Sequence, residues 1–496
     1  VVILAVVIAA LVWQLHGPSV GLALTGDSYQ WVQHAHRATH EPRLLLADLD
    51  TFLRPSTTWT LVADRALWGG FDARGLRIGS LAIHALAALL LAVAGRRLGL
   101  GAATSGVVAL LWATSAFTDE SAFVVAYRFE PLLLIAWLAL IAVWPAGDEG
   151  WSAGRGAAAV AAVLAAAAAK ETWVVTPALV LALELDHRRR LDAALRPALL
   201  AGVGVAVYVV GYFLAFPGSK SYYELGPHVV AKLPGQLAAF LFLAEPLPFA
   251  LALRWTGVLA TAAVAALAAF CLRRRVRGVW TALALLLLPT LPTLAVPFMP
   301  QRYLAIPYAG FLLLAALALE TAAARLPRWR LALVAGGALV AAMVVAAGAA
   351  TVRADLADYR RVAAAHQRLL DEAVLVGHVV RAGAPVIVVR DEAVSPLHEV
   401  VISPVGLPKL AFVRNHDPYG LIDTAALFEW VLASEGTAVE HVARRSSPAG
   451  GAPGRLLIHR AGGFVDLGAT PDIENEAERW RSSGRGLQVV RTAPLD

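Results

Sequence analysis

The chain of 496 residues has one cysteine and two methionines, and only 16% of its residues are Asp, Glu, Lys or Arg. A lone cysteine, Cys271, excludes an intramolecular disulfide framework. So little charge excludes an ordinary water-soluble enzyme, in which about 25% of residues are charged. It equally excludes a disordered chain, which combines low hydrophobicity with high net charge. No cleavable leader is evident. VVILAVVIAALVW runs into His16, Gly17 and Pro18 and then into more apolar sequence, not into a small-residue cleavage site. Residues 1–15 therefore read as a membrane helix, trimmed at its start because no Met opens it.

What the chain has instead is apolar length. Hydrophobic residues make up 58% of it, and the mean hydropathy is +0.65. A helix needs about 20 mainly apolar residues to cross a bilayer, because lipid offers its backbone no partners. Such stretches lie near 1–15, 78–95, 101–117, 131–145, 156–170, 172–186, 197–216, 255–272, 279–297, 307–324 and 331–351. Another, 235–252, is interrupted by Glu245, Pro246 and Pro248, and reads as a further span or a re-entrant piece. Runs such as AAAVAAVLAAAAA (157–169) suit close helix packing.

The net charge of +6 points to basic loops of a membrane protein and not to nucleic acid. Arg96–Arg97, Arg188–Arg190 with Arg196, Arg273–Arg275 with Arg277, and Arg325, Arg328 and Arg330 form four basic loops. All four face the cytoplasm if the N-terminus does and 235–252 does not cross. The expected fold is thus an all-α polytopic bundle of about eleven transmembrane helices, residues 1–351, with a long first external loop over 16–77. After 352 the composition changes. APVIVVRD (384–391), HEVVISPV (398–405) and GRLLIHRAGGFVDL (454–467) alternate like strands, and TAALFEWVLAS (424–434) has a helical pattern. Residues 352–496 read as a small extracytoplasmic α/β domain. That tail shows no metal motif, P-loop or nucleophile elbow.

Ionisable residues collect on the external side. The first loop carries Asp27, Asp48, Asp50, Arg54, Asp64 and Asp72 among aromatic residues suited to a membrane interface. The segment SAFTDESAFVVAYRFEP carries Asp119, Glu120, Arg128 and Glu130; its bland reading is an Arg128–Glu120 or Arg128–Glu130 pair that staples helices. Lys170–Glu171 marks a tight turn or the polar face of a cavity, and Arg302–Tyr303 lies between two further spans. Charges at membrane depth are costly and face a bundle interior or a water-filled cavity. Arg54, Arg128, Lys170 and Arg302 together suit a phosphate carried on a lipid, since Arg binds phosphate with two parallel N–H groups. A nearby carboxylate suits a base for an incoming hydroxyl. His34, His36 and His40 are not spaced as a firm metal motif, and His84, on an apolar helix, reads as a core histidine.

These motifs, in this order, resemble the glycosyltransferases of the GT-C fold, nearest to the branch with protein O-mannosyltransferases and their relatives bearing TPR repeats. The carrying residues are Asp27 in GDSY, Arg54–Pro55 in FLRPSTTW, His84 in LAIHALAALLL, Glu120 with Arg128 and Glu130, Lys170–Glu171, and Gln301-Arg302-Tyr303-Leu304 before Pro307. They span about residues 1–350. The chain departs from that pattern at Ser115, Ala116 and Thr118, where the family has His-Pro and a second His, and has one acid at Asp27 rather than two. The tail shows no 34-residue helical period of TPR type.

The resemblance implies a multi-pass enzyme of a bacterial-type plasma membrane, a hexosyl- or mannosyltransferase-like protein serving the cell envelope. It would move sugar from a polyprenyl-phosphate donor to a hydroxyl of a glycan, lipid or protein acceptor outside the cytoplasm. Asp27 and Glu120 are the implied catalytic acids. Asp50, Arg54, Arg128, Glu130, Lys170, Glu171, Arg302 and Tyr303 are the implied substrate contacts. No cofactor is certain, and use of a divalent metal, Mg or Mn, is left open. Two other readings remain: a non-catalytic relative in envelope assembly, and a lipid or solute transporter, against which stands the lack of an internal repeat.

Overall fold

In the computed structural model, the described residues are 2–24, 28–47, 53–71, 73–145, 149–188, 191–215, 226–242, 255–294, 296 and 300–381, with four strands beyond. Among the described residues, six helical stretches are long and apolar enough to cross a membrane: Val2–Ser19, Ala73–Arg97, Val125–Val143, Trp255–Arg273, Gln301–Arg325 and Pro327–Ala357. Shorter apolar helices cover Ala102–Ala113, Ala153–Ala169, Pro197–Gly211, His228–Phe242 and Val279–Thr293. The His228–Phe242 helix starts seven residues before the apolar stretch read at 235–252. Its Lys232 is fully buried and donates to the carbonyls of Thr293 and Val296, so a charge that marks a loop in sequence here ties two segments together.

The helices follow in order as α1 (Val2–His16), α2 (Ser28–His40), α3 (Pro55–Trp68), α4 (Ala73–Arg97), α5 (Ala102–Ala113), α6 (Asp119–Phe123), α7 (Phe129–Val143) and α8 (Ala153–Ala169). Then come α9 (Thr176–Arg188), α10 (Leu191–Ala215), α11 (His228–Phe242), α12 (Trp255–Arg273), α13 (Val279–Leu287), α14 (Ala305–Arg325) and α15 (Arg330–Arg381). The long first loop is thus largely helical. Pro55 starts α3, where a missing N–H costs nothing, and Gly69 ends it in the left-handed region at φ 77°.

The core is apolar and close-packed around α4, α5, α7, α13 and α14, with Leu91, Trp112, Leu134, Trp137, Leu285 and Leu313 buried. Three indole N–H groups tie helices across it: Trp112 to the Ala305 carbonyl (2.8 Å), Trp137 to Thr176 Oγ1 (3.1 Å) and Trp144 to Glu184 Oε1 (3.1 Å). Gly310 lets α14 touch α13, since a Cβ there would lie 2.6 Å from the Leu285 carbonyl carbon. The outer surface is apolar too: Ile3, Leu164, Val207, Leu259 and Leu331 are all exposed.

α15 is 52 residues long, about 78 Å at 1.5 Å per residue, and runs unbroken through 351/352. The composition change falls inside a helix and not in a linker. Beyond it, β1 (Val386–Asp391), β2 (Gly454–Arg460), β3 (Gly463–Thr470) and β4 (Leu487–Arg491) form one sheet in the order β3-β2-β1-β4. β1 runs parallel to β2, with Val388 opposite Leu457, and antiparallel to β4, with Val388 opposite Val490. The alternating runs at 384–391 and 454–467, read as strands, overlap β1 and then β2 with β3; β4 was not foreseen. The segments 398–405 and 424–434 lie outside the described residues.

Candidate active site

Two short turns and two helix starts deliver charge to a common place. The turns are Glu171–Val175 before α9 and Gln301–Leu304 before α14; Arg54 precedes α3, and Glu130 lies in the first turn of α7. Each begins an apolar or amphipathic helix, so a polar residue at its start sits at the helix end while the following turns are held in the core.

Arg54 donates from Nε (3.2 Å) and Nη2 (3.0 Å) to the same Oε2 of Glu171. Lys170 forms an ion pair with Glu130. Arg302 holds Glu120 twice, through Nη1 to Oε1 (2.5 Å) and through its backbone N–H to Oε2 (2.8 Å), while the Gln301 side chain donates to the Ala116 carbonyl. Aromatic rings fill the spaces between. Arg54 lies 3.9 Å from the Phe129 ring centre, Lys170 lies 4.2 Å from that of Tyr303, and Arg302 lies 4.0 Å from that of Tyr127. Lys170 and Arg302 share the Tyr303 ring, the latter at 5.4 Å. Arg54, Glu130, Lys170, Glu171, Glu120, Arg302 and Tyr303 are therefore brought together from four parts of the chain. The cations are buried and ring-stacked, which strengthens their hold on any anion.

Arg128 does not join them. It is fully buried, pairs with Asp64 Oδ2 at 2.6 Å, and donates to Ser80 Oγ (2.9 Å) and the Leu76 carbonyl. Both expected staples, Arg128–Glu120 and Arg128–Glu130, are thus corrected. Those glutamates bind Arg302 and Lys170, and α3, folded against α4, supplies the partner instead. Burial raises the Asp64 pKa above the ordinary carboxylate value, with the Arg128 guanidinium acting against that rise.

Asp27 and Asp50 lie outside the described residues, as do Asp48 and Asp72. Ser28, the residue after Asp27, is buried, and its Oγ accepts from the Ala126 N–H at 3.4 Å, next to Tyr127. His84 is buried as expected, stacked on Trp112 at 4.8 Å with Nε2 3.2 Å from the Ala113 carbonyl. His36 and His40 have ring centres 5.2 Å apart, and burial, then His40 and Arg65, lower the His36 pKa. Among the described residues, no three His, Cys, Asp or Glu side chains group so as to hold a metal ion.

Two buried groups escaped sequence reasoning. Arg77 is wholly buried and donates to the carbonyls of Leu22 (3.3 Å), Ala23 and Phe123 (2.6 Å) and to the Tyr359 hydroxyl (3.3 Å). Asp119 and Asp355 are both buried, and each carboxyl group feels the other. Burial first, then Asp355 and Glu120, push the Asp119 pKa well above the ordinary value. No motif marks either: Arg77 binds backbone oxygens, and Asp355 lies in α15, far away in sequence.

No protein-family model matches the chain, and no curated protein matches it. Among solved structures, the chain is similar to ArnT from Cupriavidus metallidurans bound to undecaprenyl phosphate, with 17% identity and a TM-score of 0.45 over 76% of this chain and 72% of that one. It is similar also to ArnT from the same organism in the apo state, with 18% identity and a TM-score of 0.45 over 76% and 71%.

Proposed function

We propose that the chain is an integral membrane glycosyltransferase that moves a sugar from a polyprenyl-phosphate donor to a hydroxyl acceptor outside the cytoplasm. The observation that carries this reading is the convergence of Arg54, Lys170 and Arg302, each stacked on an aromatic ring at the end of a helix. Such a cluster beside lipid suits a lipid-borne phosphate. In the reaction, the acceptor oxygen attacks the anomeric carbon, its proton goes to a carboxylate, and the sugar–phosphate bond breaks with its electrons staying on the phosphate. The cluster would stabilise the charge that gathers on the leaving phosphate, ordinarily the largest single contribution. Asp27 is the proposed base, on the likeness of its GDSY setting to the acidic residue that follows the first helix in the GT-C pattern. Glu120, held by Arg302, serves to orient that cation.

Residues 1–351 form the proposed catalytic bundle, with eleven crossings, and 352–496 an extracytoplasmic domain. Labelling of a cysteine placed at Ser482 in intact cells tests this, and protection there would reverse the orientation. One observation favours a second reading, a non-catalytic relative: each clustered cation already has a carboxylate partner. Purified protein supplied with a panel of polyprenyl-phosphate sugars decides between the two. Release of polyprenyl phosphate that is lost in Arg54→Ala and Lys170→Ala bears out the enzyme. No release from any donor, with no donor bound, leaves the non-catalytic reading.

A further inference from the structure

Among the described residues the cluster is electrically balanced before any ligand arrives: Arg54, Lys170 and Arg302 face Glu171, Glu130 and Glu120, one for one. An anion added to such a site must displace a carboxylate or leave the site with excess negative charge. The three carboxylates are not equally placed to leave. The Glu130 side chain is 2% exposed and pairs with Lys170 inside the bundle. Glu120 is 11% exposed and is gripped at both oxygens by Arg302. Glu171 is 25% exposed, the most open of the three, and reaches Arg54 through one oxygen alone. That oxygen occupies the Nε/Nη2 edge of the guanidinium, the edge that a phosphate would grip with two parallel hydrogen bonds.

We propose that Glu171 is a displaceable internal counter-ion that holds the Arg54 phosphate subsite when no lipid phosphate is bound and competes with that phosphate for it. The inference rests on the proposed function and specifies how its donor site selects and releases ligand. A sugar-linked phosphodiester carries one negative charge, whereas the phosphate monoester left after transfer carries up to two and would grip three cations more firmly. Return of Glu171 to Arg54 opposes that retention. The charge between lipid visits is also neutralised, so the buried Arg54 is never left bare, a state costly in a partly dry site.

Binding of undecaprenyl phosphate to the full-length protein in nanodiscs, at fixed ionic strength, tests the proposal. Glu171→Gln keeps the shape but turns a charged competitor into a neutral one, and should tighten binding about tenfold. Glu171→Asp keeps the charge on a shorter arm and should fall between Gln and wild type. It also guards against a Gln variant that does not fold. In turnover, Glu171→Gln should lower kcat through slow product release while lowering the inhibition constant for added polyprenyl phosphate. A parallel titration with inorganic phosphate tells a phosphate subsite from a lipid-dependent one; tightening with either ligand upholds the competition. Unchanged or weakened binding in both variants, with wild type binding normally, overturns the inference and leaves the glycosyltransferase reading standing. Failure of wild type and both variants to bind either ligand removes the lipid-phosphate reading itself.

Discussion

Arg77 and Tyr359, 282 positions apart in sequence, converge on one atom, the carbonyl oxygen of Phe123: Arg77 donates Nη1 at 2.6 Å and Tyr359 its hydroxyl at 2.9 Å. Arg77 also reaches back to Leu22 and Ala23, and its guanidinium lies 5.0 Å from the Tyr359 ring centre. The connection after α1, the end of α6 and the long helix α15 are thus fixed at one point.

Loss of this junction is measurable by thermal unfolding in detergent. Tyr359→Phe removes one hydroxyl and keeps the ring contact with Phe123, so it should cost about 1 kcal/mol. Arg77→Ala leaves several buried carbonyls without donors and should cost about 3 kcal/mol or more, with Arg77→Lys recovering part. An Arg77→Ala protein as stable as wild type would show that water takes over these carbonyls.

The buried Arg128–Asp64 pair gives a second test. Asp64→Ala strands a fully buried guanidinium and should lower stability by about 3–5 kcal/mol. Combining it with Arg128→Met should restore most of that loss, since the uncompensated charge is gone. Equal losses in the single and double variants would mean that the packing of Asp64, not its charge, is what counts. Gly79→Ala should act on the same pair, because a Cβ there would lie 2.6 Å from Asp64 Cγ.

The apolar runs at 78–95, 131–145, 255–272 and 307–324 were legible in the sequence because twenty apolar residues have few fates, and helices lie at each. The charged residues were legible as a set, but their partners were not. Arg128 has Glu120 and Glu130 as sequence neighbours, yet the turn at Val125–Arg128 points it back to α3 and Asp64. Pairing across segments depends on how helices pack, which a single sequence does not state. The helix at 228–242 was hidden by Lys232 and Pro234, the marks of a loop, until the carbonyls that receive Lys232 were in view.

The Asp119–Asp355 contact predicts a pH dependence. A carboxyl whose pKa is raised in the folded protein favours its protonated form there. Stability then falls as pH rises from the ordinary carboxylate range, about 3.9, through the raised value, and is level above it. Asp119→Asn should flatten that slope and raise Tm at alkaline pH by about 2 °C or more, since the amide has no charge to bury beside Asp355 and Glu120. Melting curves from pH 5 to 9 check it. A slope unchanged in Asp119→Asn would assign it to another group.

The mechanism has its own test. Asp27→Asn should abolish sugar transfer while expression and folding stay close to normal, because Asn keeps the shape and reach of Asp but cannot take the acceptor's proton. A general base typically contributes about 10²–10⁴-fold in rate, so kcat should fall far more than donor binding. Arg302→Ala should differ: it removes a cation from the cluster and frees Glu120, so donor KM should rise together with the loss of kcat. The contrast separates a proton acceptor from a phosphate ligand. If Asp27→Asn transfers sugar at the normal rate, the base lies elsewhere, and Asp48 and Asp50, in the same loop just before Arg54, come next. If Asn at each of the three leaves transfer intact, none of these three carboxylates takes the proton, and the acceptor's proton goes to a different group while the cluster stabilises the leaving phosphate.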